Sequence, residues 1–235
     1  MLYWLLQSQS AHPDLAQGEV PDGLLAPEER AWLERFTAER RQRDWLLGRW
    51  TAKRLLQQVV EQHCGFDVPL DSIVIKTAGN DAPFTDFREP YTGRQFSLSI
   101  SHSQGYALCA VVEGKNVPVG ADLEWIEPRD DGFIENFFTE DECELVHRRV
   151  RRLHDLHVTA IWSAKEAVLK AAGLGMRVDP RSVSCLVQPV AADPQDWIPF
   201  KVIWRQEQLT SNALPELAGW WQALGGFVLT LATPA

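Results

Sequence analysis

One helix-forming stretch reads Trp162-Ser163-Ala164-Lys165-Glu166-Ala167-Val168-Leu169-Lys170-Ala171-Ala172-Gly173-Leu174-Gly175. Ala, Leu, Lys and Glu favour a helix, and the two glycines favour its end. Trp162, Glu166 and Lys170 follow one another at every fourth position, so they share one side of the helix, with Lys165 beside them. Such a side suits an anionic ligand and a metal. The alternative is an exposed helix with an ordinary Glu166–Lys170 ion pair, which contributes about 0.2–0.5 kcal/mol.

A second stretch, Val119-Gly120-Ala121-Asp122-Leu123-Glu124, alternates as a strand does. Its apolar side chains are expected to face a core, while Gly120, Asp122 and Glu124 point out together. Two carboxylates on one face repel each other unless a cation or a proton lies between them. Their hard oxygens suit Mg²⁺. Glu166 is a candidate third ligand.

A serine-rich stretch, Ser97 to Ser103, contains His102 at a predicted strand-to-turn junction. The pattern lacks the G-x-S-x-G turn of a hydrolase nucleophile. A histidine in such a turn is more often a structural hydrogen-bonding group. It also suits donation to a phosphate, with hydroxyl and backbone N–H groups assisting.

Composition limits the classes of function. The net charge of −9 disfavours a nucleic-acid-binding surface. No apolar run approaches the ~20 residues of a membrane span. The four cysteines are scattered and form no C-x-x-C motif, which fits a reducing compartment. We therefore expect a cytoplasmic protein that binds neither nucleic acid nor membranes.

The order of elements predicts an α+β fold. Strands are expected at 1–6, 73–75, 96–101, 106–112, 119–125, 182–187, 200–204 and 227–230, and helices at 27–36, 40–62, 139–149 and 156–172. A capping box, Thr139 followed by Glu142, opens the third of these helices. The best boundary lies at Lys115 to Pro118, which gives halves at 1–117 and 118–235. Each half combines helices with a small, mainly antiparallel sheet, and the sequence shows no convincing internal repeat.

Taken in this order, the motifs resemble those of the 4′-phosphopantetheinyl transferase superfamily, in its long single-chain type named for the surfactin-synthetase-activating enzyme. The resemblance covers roughly residues 27–187, and its strongest part is the W-x-x-K-E-A-x-x-K helix that follows G-x-D-x-E. The matching pieces are Leu47-Gly48-Arg49 with Lys53 and Arg54, Ser99-Ile100-Ser101-His102-Ser103, Gly120-Ala121-Asp122-Leu123-Glu124, Phe138-Thr139-Glu140-Asp141-Glu142, and Trp162 to Gly175.

The resemblance implies a fold and a reaction. Two similar halves form a pseudo-dimer with the active site in the cleft between them. The first half contacts the nucleotide part of coenzyme A, and the second carries the metal and the catalytic helix. The implied reaction is Mg²⁺-dependent transfer of the 4′-phosphopantetheine group from coenzyme A to a serine of an apo acyl or peptidyl carrier protein, with release of 3′,5′-ADP. Mn²⁺ is the expected substitute for Mg²⁺.

The resemblance also implies roles for single residues. Asp122, Glu124 and Glu166 would hold the metal against the pyrophosphate of coenzyme A. Glu166, directly or through water, would be the base for the carrier serine, and Lys170 would lie near the leaving group. The expected coenzyme A contacts are Arg49, Lys53, Ser101, His102, Lys165 and Lys170.

Two positions depart from the family pattern. Lys53 stands where the family often has arginine, so a charge is kept without bidentate geometry. Asp81-Ala82-Pro83 replaces the usual Gly-Lys-Pro, so no lysine is carried over there.

Carrier proteins are typically acidic. The arginine-rich segment 148–152 is either a solvated helix face or a surface that attracts a carrier protein.

Two other functions remain open from sequence. One is a Mg²⁺-dependent phosphodiesterase that uses the same three carboxylates. The other is a non-catalytic protein that binds coenzyme A or a carrier protein. Trp162 either walls the site or packs between the halves. Because two similar halves lie in one chain, we expect a monomer.

Overall fold

The computed structural model describes residues 1–77, 83–147, 153–188, 196–205 and 214–235. The chain divides into two compact units, Met1–Val117 and Pro118–Ala235. The arginine-rich segment 148–152, and Asp81 and Ala82 of the departing tripeptide, lie outside the described residues.

The first unit packs helices on one antiparallel sheet. Its strands follow the order β1-β5-β4-β3-β2. Leu56, Val59 and Val60 of the longest helix join strand residues such as Val111 in the core. The elements are β1 (Leu2–Ser8), α1 (Pro13–Gln17), α2 (Pro27–Leu33), α3 (Glu39–Cys64), β2 (Ile73–Thr77), β3 (Pro83–Phe87), β4 (Phe96–Ser103) and β5 (Tyr106–Glu113).

The second unit is built in the same way. Its strands follow the order β6-β10-β9-β8-β7, and its last helix packs on the sheet through Val158, Ile161 and Val168. The elements are β6 (Gly120–Trp125), α4 (Asp131–Phe137), α5 (Glu140–His147), α6 (His154–Ala171), β7 (Val183–Leu186), β8 (Ile198–Trp204), β9 (Leu217–Leu224) and β10 (Phe227–Pro234).

The two strand orders are the same once the numbering is shifted by five, and in each unit the helices lie between the first and second strands. In each sheet the first strand lies at one edge, beside the last strand, and the second strand lies at the other edge. The long helical connection between the first and second strands therefore crosses the sheet. The predicted α+β class, with a small antiparallel sheet and helices in each half, is confirmed.

A short sequence repeat, which was not predicted, accompanies this shared topology. Residues 50–53 in α3 read Trp-Thr-Ala-Lys, and residues 162–165 in α6 read Trp-Ser-Ala-Lys. Lys53 and Lys165 close these repeats, and both side chains are fully buried. Four residues are too few to stand out in a sequence scan, but they occupy corresponding helices.

Several elements were not predicted. The helices α1 and α4 and the strands β3 and β9 were absent from the prediction. In β9, Gly219 has a low propensity for strands, so the sequence pattern does not indicate a strand there. A side chain at Gly219 would place its Cβ 2.1 Å from Cζ of Phe200, so the missing side chain makes room for a ring on the neighbouring strand. Among the described residues, no helix is both long and apolar enough to cross a membrane.

Candidate active site

The carboxylate-bearing strand β6 lies against α6 at very close range. A Cβ on Gly120 would lie 1.8 Å from the backbone oxygen of Ala167, so only glycine allows this approach. The face that Gly120 shares with Asp122 therefore meets the helix instead of solvent, and Asp122 is 2% exposed. The expectation that this face points out is wrong for Gly120 and Asp122, which the helix covers, whereas Glu124 is partly exposed.

Lys170 connects the strand to the helix. Its ammonium donates to Asp122 Oδ1 at 2.6 Å and to the backbone oxygen of Ala121 at 3.4 Å. It also lies 3.8 Å from Glu166 Oε2 on the preceding turn. Burial lowers the pKa of Lys170, but the charges of Asp122 and Glu166 outweigh it and raise the pKa above its ordinary value. The lysine is thus held charged between two carboxylates.

Glu124 is held by two different donors, one on each oxygen. The indole Nε1 of Trp162 donates to Oε1 at 3.2 Å. Nη2 of Arg129 donates to Oε2 at 3.0 Å. Trp162 is 8% exposed and packs against the rings of Phe133 and Phe137, at centroid distances of 5.1 and 5.2 Å. Trp162 therefore walls the site within the second unit.

The three carboxyl groups influence one another. Burial, then the charge of Asp122 and to a smaller degree that of Glu166, raise the pKa of Glu124 to about 7, although Arg129 and Trp162 act in the opposite direction. Burial also raises the pKa of Glu166, with Asp122 adding to the shift and Lys170 opposing it. Such perturbed carboxyl groups gathered at one place are typical of functional sites.

These carboxylates have the oxygen chemistry that Mg²⁺ prefers. Within the described ranges, however, no three His, Cys, Asp or Glu side chains are gathered closely enough to hold a metal ion. The contacts explain this, since Lys170 holds Asp122 and Arg129 holds Glu124. The donor set fits the metal in kind, and a cation would replace these internal positive charges. The ligand assignment stays a prediction.

Lys165 lies elsewhere. Its side chain is fully buried, and its ammonium donates to the backbone oxygens of Pro180 at 2.9 Å and Val183 at 2.6 Å. The carboxylate of Glu142 lies 2.8 Å away. A lysine sealed in this way cannot contact a phosphate, so the predicted coenzyme A contact of Lys165 is wrong. Its position one residue before Glu166 turns it toward the core.

Lys53 is buried in the corresponding way in the first unit. Its ammonium donates to the backbone oxygen of Leu24 at 2.7 Å and to the carboxylate of Glu29. The predicted phosphate contact of Lys53 is therefore also wrong. Arg49 is 7% exposed, lies 3.5 Å from Glu29 Oε1 and stacks on Trp45 at 4.5 Å, so its role in coenzyme A binding stays a prediction.

His102 is exposed, and its ring has room beside α3 because residue 48 of that helix is a glycine. A Cβ on Gly48 would lie 2.5 Å from Nε2 of His102. The histidine lines a cavity of about 490 Å³ together with Ser103, Arg40 and Arg43. Within the described residues, the lining includes neither Arg49 nor Lys53 nor Ser101, and Ser101 is 7% exposed.

Four contributors to these sites were not predicted from the sequence. Arg129 follows a strand in an irregular loop, where no periodicity indicates its direction. Arg40 and Arg43 lie on α3 and His102 lies on β4, so no local sequence pattern connects them. Glu142 was recognised as a helix cap, which is confirmed because its Oε2 accepts from the backbone N–H of Thr139 at 2.8 Å. Its pairing with Lys165 follows from no sequence pattern.

Similar proteins support the family suggested by the motifs. The profile of the 4′-phosphopantetheinyl transferase superfamily matches residues 118–217. The 4′-phosphopantetheinyl transferase psf-1 of Bacillus pumilus is 27% identical over 189 residues, which covers 71% of this chain and 74% of that protein. The 4′-phosphopantetheinyl transferase gsp of Aneurinibacillus migulanus is 29% identical over 133 residues, 57% of this chain and 49% of that protein.

A holo-[acyl-carrier-protein] synthase of Staphylococcus epidermidis is 30% identical over 100 residues, which covers 43% of this chain and 82% of that protein. The match to psf-1 covers more of the chain than either unit contains, so it extends over both units and confirms the long single-chain type. The protein is an enzyme, and the chain belongs to the 4′-phosphopantetheinyl transferase superfamily.

Proposed function

We propose that this protein transfers the 4′-phosphopantetheine group from coenzyme A to a serine of an apo acyl or peptidyl carrier protein, in a Mg²⁺-dependent reaction that releases 3′,5′-ADP. The contact of Lys170 with Asp122 and Glu166 carries the proposal, since it puts a charged ammonium beside one buried and one partly buried carboxylate. That arrangement suits phosphoryl-group transfer, which depends on positioned charge more than on covalent chemistry by the protein.

The chain's own residues have distinct tasks in this reaction. Glu166 takes the proton of the serine hydroxyl, directly or through water, as its oxygen attacks the β-phosphorus of coenzyme A. The bond from that phosphorus to the bridging oxygen breaks, and 3′,5′-ADP leaves. Burial raises the pKa of Glu166 in the absence of a bound cation. A positioned carboxylate suits the removal of a proton from a hydroxyl group. Lys170 stabilises the charge on the leaving phosphate.

Asp122, Glu124 and Glu166 would hold Mg²⁺, which when bound offsets the charge that develops on the pyrophosphate. Asp122 and Glu124 stand two residues apart on β6, and Glu166 stands on α6 beside them. A cation that binds Asp122 weakens the attraction between Lys170 and this carboxylate. A weaker contact makes the ammonium available to a phosphate oxygen, so binding of the substrate and of the cation support each other.

We also propose a division of tasks between residues 1–117 and 118–235. In the first unit, the cavity lined by His102, Arg40 and Arg43 supplies donors and positive charge for phosphate and nucleotide groups, although the carboxylates of Glu39 and Asp44 line it as well. Arg49 and Ser101 are proposed to assist. The second unit supplies the metal ligands and the catalytic helix. The four cysteines are free thiols, which supports our proposal of a cytoplasmic location, and we propose that the protein acts as a monomer.

The experiment that tests the proposed function follows the release of 3′,5′-ADP from coenzyme A in Mg²⁺, with and without an apo carrier protein. Release that requires the carrier is the expected result. Equal release without any carrier would instead show a phosphodiesterase. Binding of coenzyme A with no release in either case would show a non-catalytic binding protein. The family assignment favours neither of these alternatives.

A further inference from the structure

Glu124 has an unusual pair of partners for a proposed metal ligand. Trp162 holds one carboxylate oxygen with a neutral N–H group, and Arg129 holds the other with a positive charge. Outer donors that orient a ligating carboxylate commonly support metal binding. A charged donor does more than orient, because it repels a divalent cation that approaches the same carboxylate.

Arg129 is fixed in this position by contacts of its own. The side chain is 15% exposed, and its guanidinium stacks on Phe133 at 4.5 Å and lies 6.0 Å from the centre of the Trp162 ring. Glu127, the other carboxylate near it, is 3.9 Å away and half-exposed. The Nε atom of Arg129 is buried and has no hydrogen-bond partner among the described residues. Ring stacking therefore keeps the guanidinium beside Glu124.

We propose that Arg129 is a built-in competitor of the divalent cation for Glu124 and thereby sets the metal affinity of the enzyme. The inference rests on the proposed function, since it concerns the proposed metal ligand. In the structure, Arg129 already neutralises one of the three proposed metal ligands. Arg129 is a positioning residue, because it acts on the cation through Glu124.

Trp162 provides an internal contrast on the same carboxylate. Its N–H group orients Glu124 without a charge, so its loss should weaken cation binding, by about 10–100-fold for a typical outer donor. Loss of the Arg129 charge should do the opposite and tighten cation binding, by about tenfold, which corresponds to about 1.4 kcal/mol. A purely structural role for Arg129 predicts weaker binding in every variant.

The test measures Mn²⁺ binding by electron paramagnetic resonance of the free ion, first with the ion alone and then with coenzyme A present. The variants are Arg129→Gln, Arg129→Lys and Trp162→Phe, and Glu124→Gln removes the ligand. Arg181→Gln is the matched control, since Arg181 pairs with Asp179 in an exposed ion pair. We expect tighter binding in Arg129→Gln, affinity near that of the unchanged protein in Arg129→Lys, and weaker binding in Trp162→Phe.

Two results would overturn the inference in distinguishable ways. Mn²⁺ binding that is lost in Glu124→Gln but is unchanged or weaker in Arg129→Gln would reject competition and leave the metal site standing. Failure of the unchanged protein to bind Mn²⁺ in either condition would reject both the competition and the proposed metal dependence.

Discussion

Lys165 and Glu142 form an ion pair that is sealed from solvent, with Nζ 2.8 Å from Oε2 and neither side chain exposed. Glu142 also accepts from the backbone N–H of Cys185 at 2.7 Å, so the pair ties α5 and α6 to β7. Lys53 and Glu29 form the corresponding pair in the first unit, where Glu29 accepts from the N–H of Ile75. Each unit thus contains a buried lysine–glutamate pair that connects helices to a strand.

Replacing Lys165 by methionine should lower the free energy of unfolding by about 3–5 kcal/mol, because the carboxylate of Glu142 is left buried without its counter-charge. Urea unfolding measures the change. Coenzyme A affinity of the folded fraction should be unaffected. A fully stable Lys165→Met protein that no longer binds coenzyme A would contradict this account and restore a phosphate contact for Lys165.

The double variant Glu142→Leu with Lys165→Met provides the control for that prediction. Replacing both members of a buried ion pair by apolar groups is often nearly neutral or stabilising. The double variant should therefore be more stable than Lys165→Met alone. Losses that simply add would show that the two side chains do not act as a pair.

Gly120→Ala should disrupt the site without removing any charged group. Its Cβ would meet the backbone of α6 at 1.8 Å, and backbone cannot swing aside as a side chain can. We expect a large loss of transfer activity with a loss of stability, measured by carrier modification and urea unfolding. Gly132→Ala in α4 is the control, because its Cβ would meet only a side-chain atom, Oδ1 of Asp130, at 3.4 Å.

Gly48→Ala should weaken coenzyme A binding through His102. Since the new Cβ would lie 2.5 Å from the end of a movable side chain, the imidazole is displaced while the helix remains. We expect affinity to fall about tenfold or more, as a hydrogen bond to a charged group contributes about 1.5–3 kcal/mol. Titration calorimetry with coenzyme A measures this.

His102→Ala supplies the background for a matched comparison. In that background the Gly48→Ala change should have almost no further effect on coenzyme A affinity. An equal effect of Gly48→Ala with and without the histidine would refute the proposed route.

The stability of the metal-free protein should depend on Glu124. Its pKa rises from the ordinary value of 4.5 to about 7 in the folded state, so the folded protein holds this proton to a higher pH than the unfolded chain does. The contribution of Glu124 to the free energy of unfolding therefore falls as pH rises from 4.5 to 7. Glu124→Gln should remove this decline and be the more stable protein above pH 7.

Chemical unfolding in a metal chelator at several pH values measures the difference between Glu124→Gln and the unchanged protein. A difference that stays constant from pH 4.5 to 7 would argue against the raised pKa of Glu124.

Sequence patterns predicted the fold class, the main helices and the order of the motifs because these follow from local periodicity. The burial of individual side chains was harder to predict. The helical pattern grouped Lys165 with Glu166 and Lys170, but α6 is buried on most of its surface, and the side chain of Lys165 lies inside. Arg129 depends on a loop, and β9 is recognisable only when Gly219 is seen to accommodate Phe200.

The most direct test of the account is the intact mass of an apo carrier protein after incubation with this enzyme, coenzyme A and Mg²⁺. We expect a mass gain of one phosphopantetheine group with the unchanged enzyme and with the surface control Glu113→Gln. The gain should be slowed by about 10²–10⁴-fold in Glu166→Gln, as expected for loss of a positioned base. Modification at an unchanged rate by Glu166→Gln would contradict the central role of Glu166.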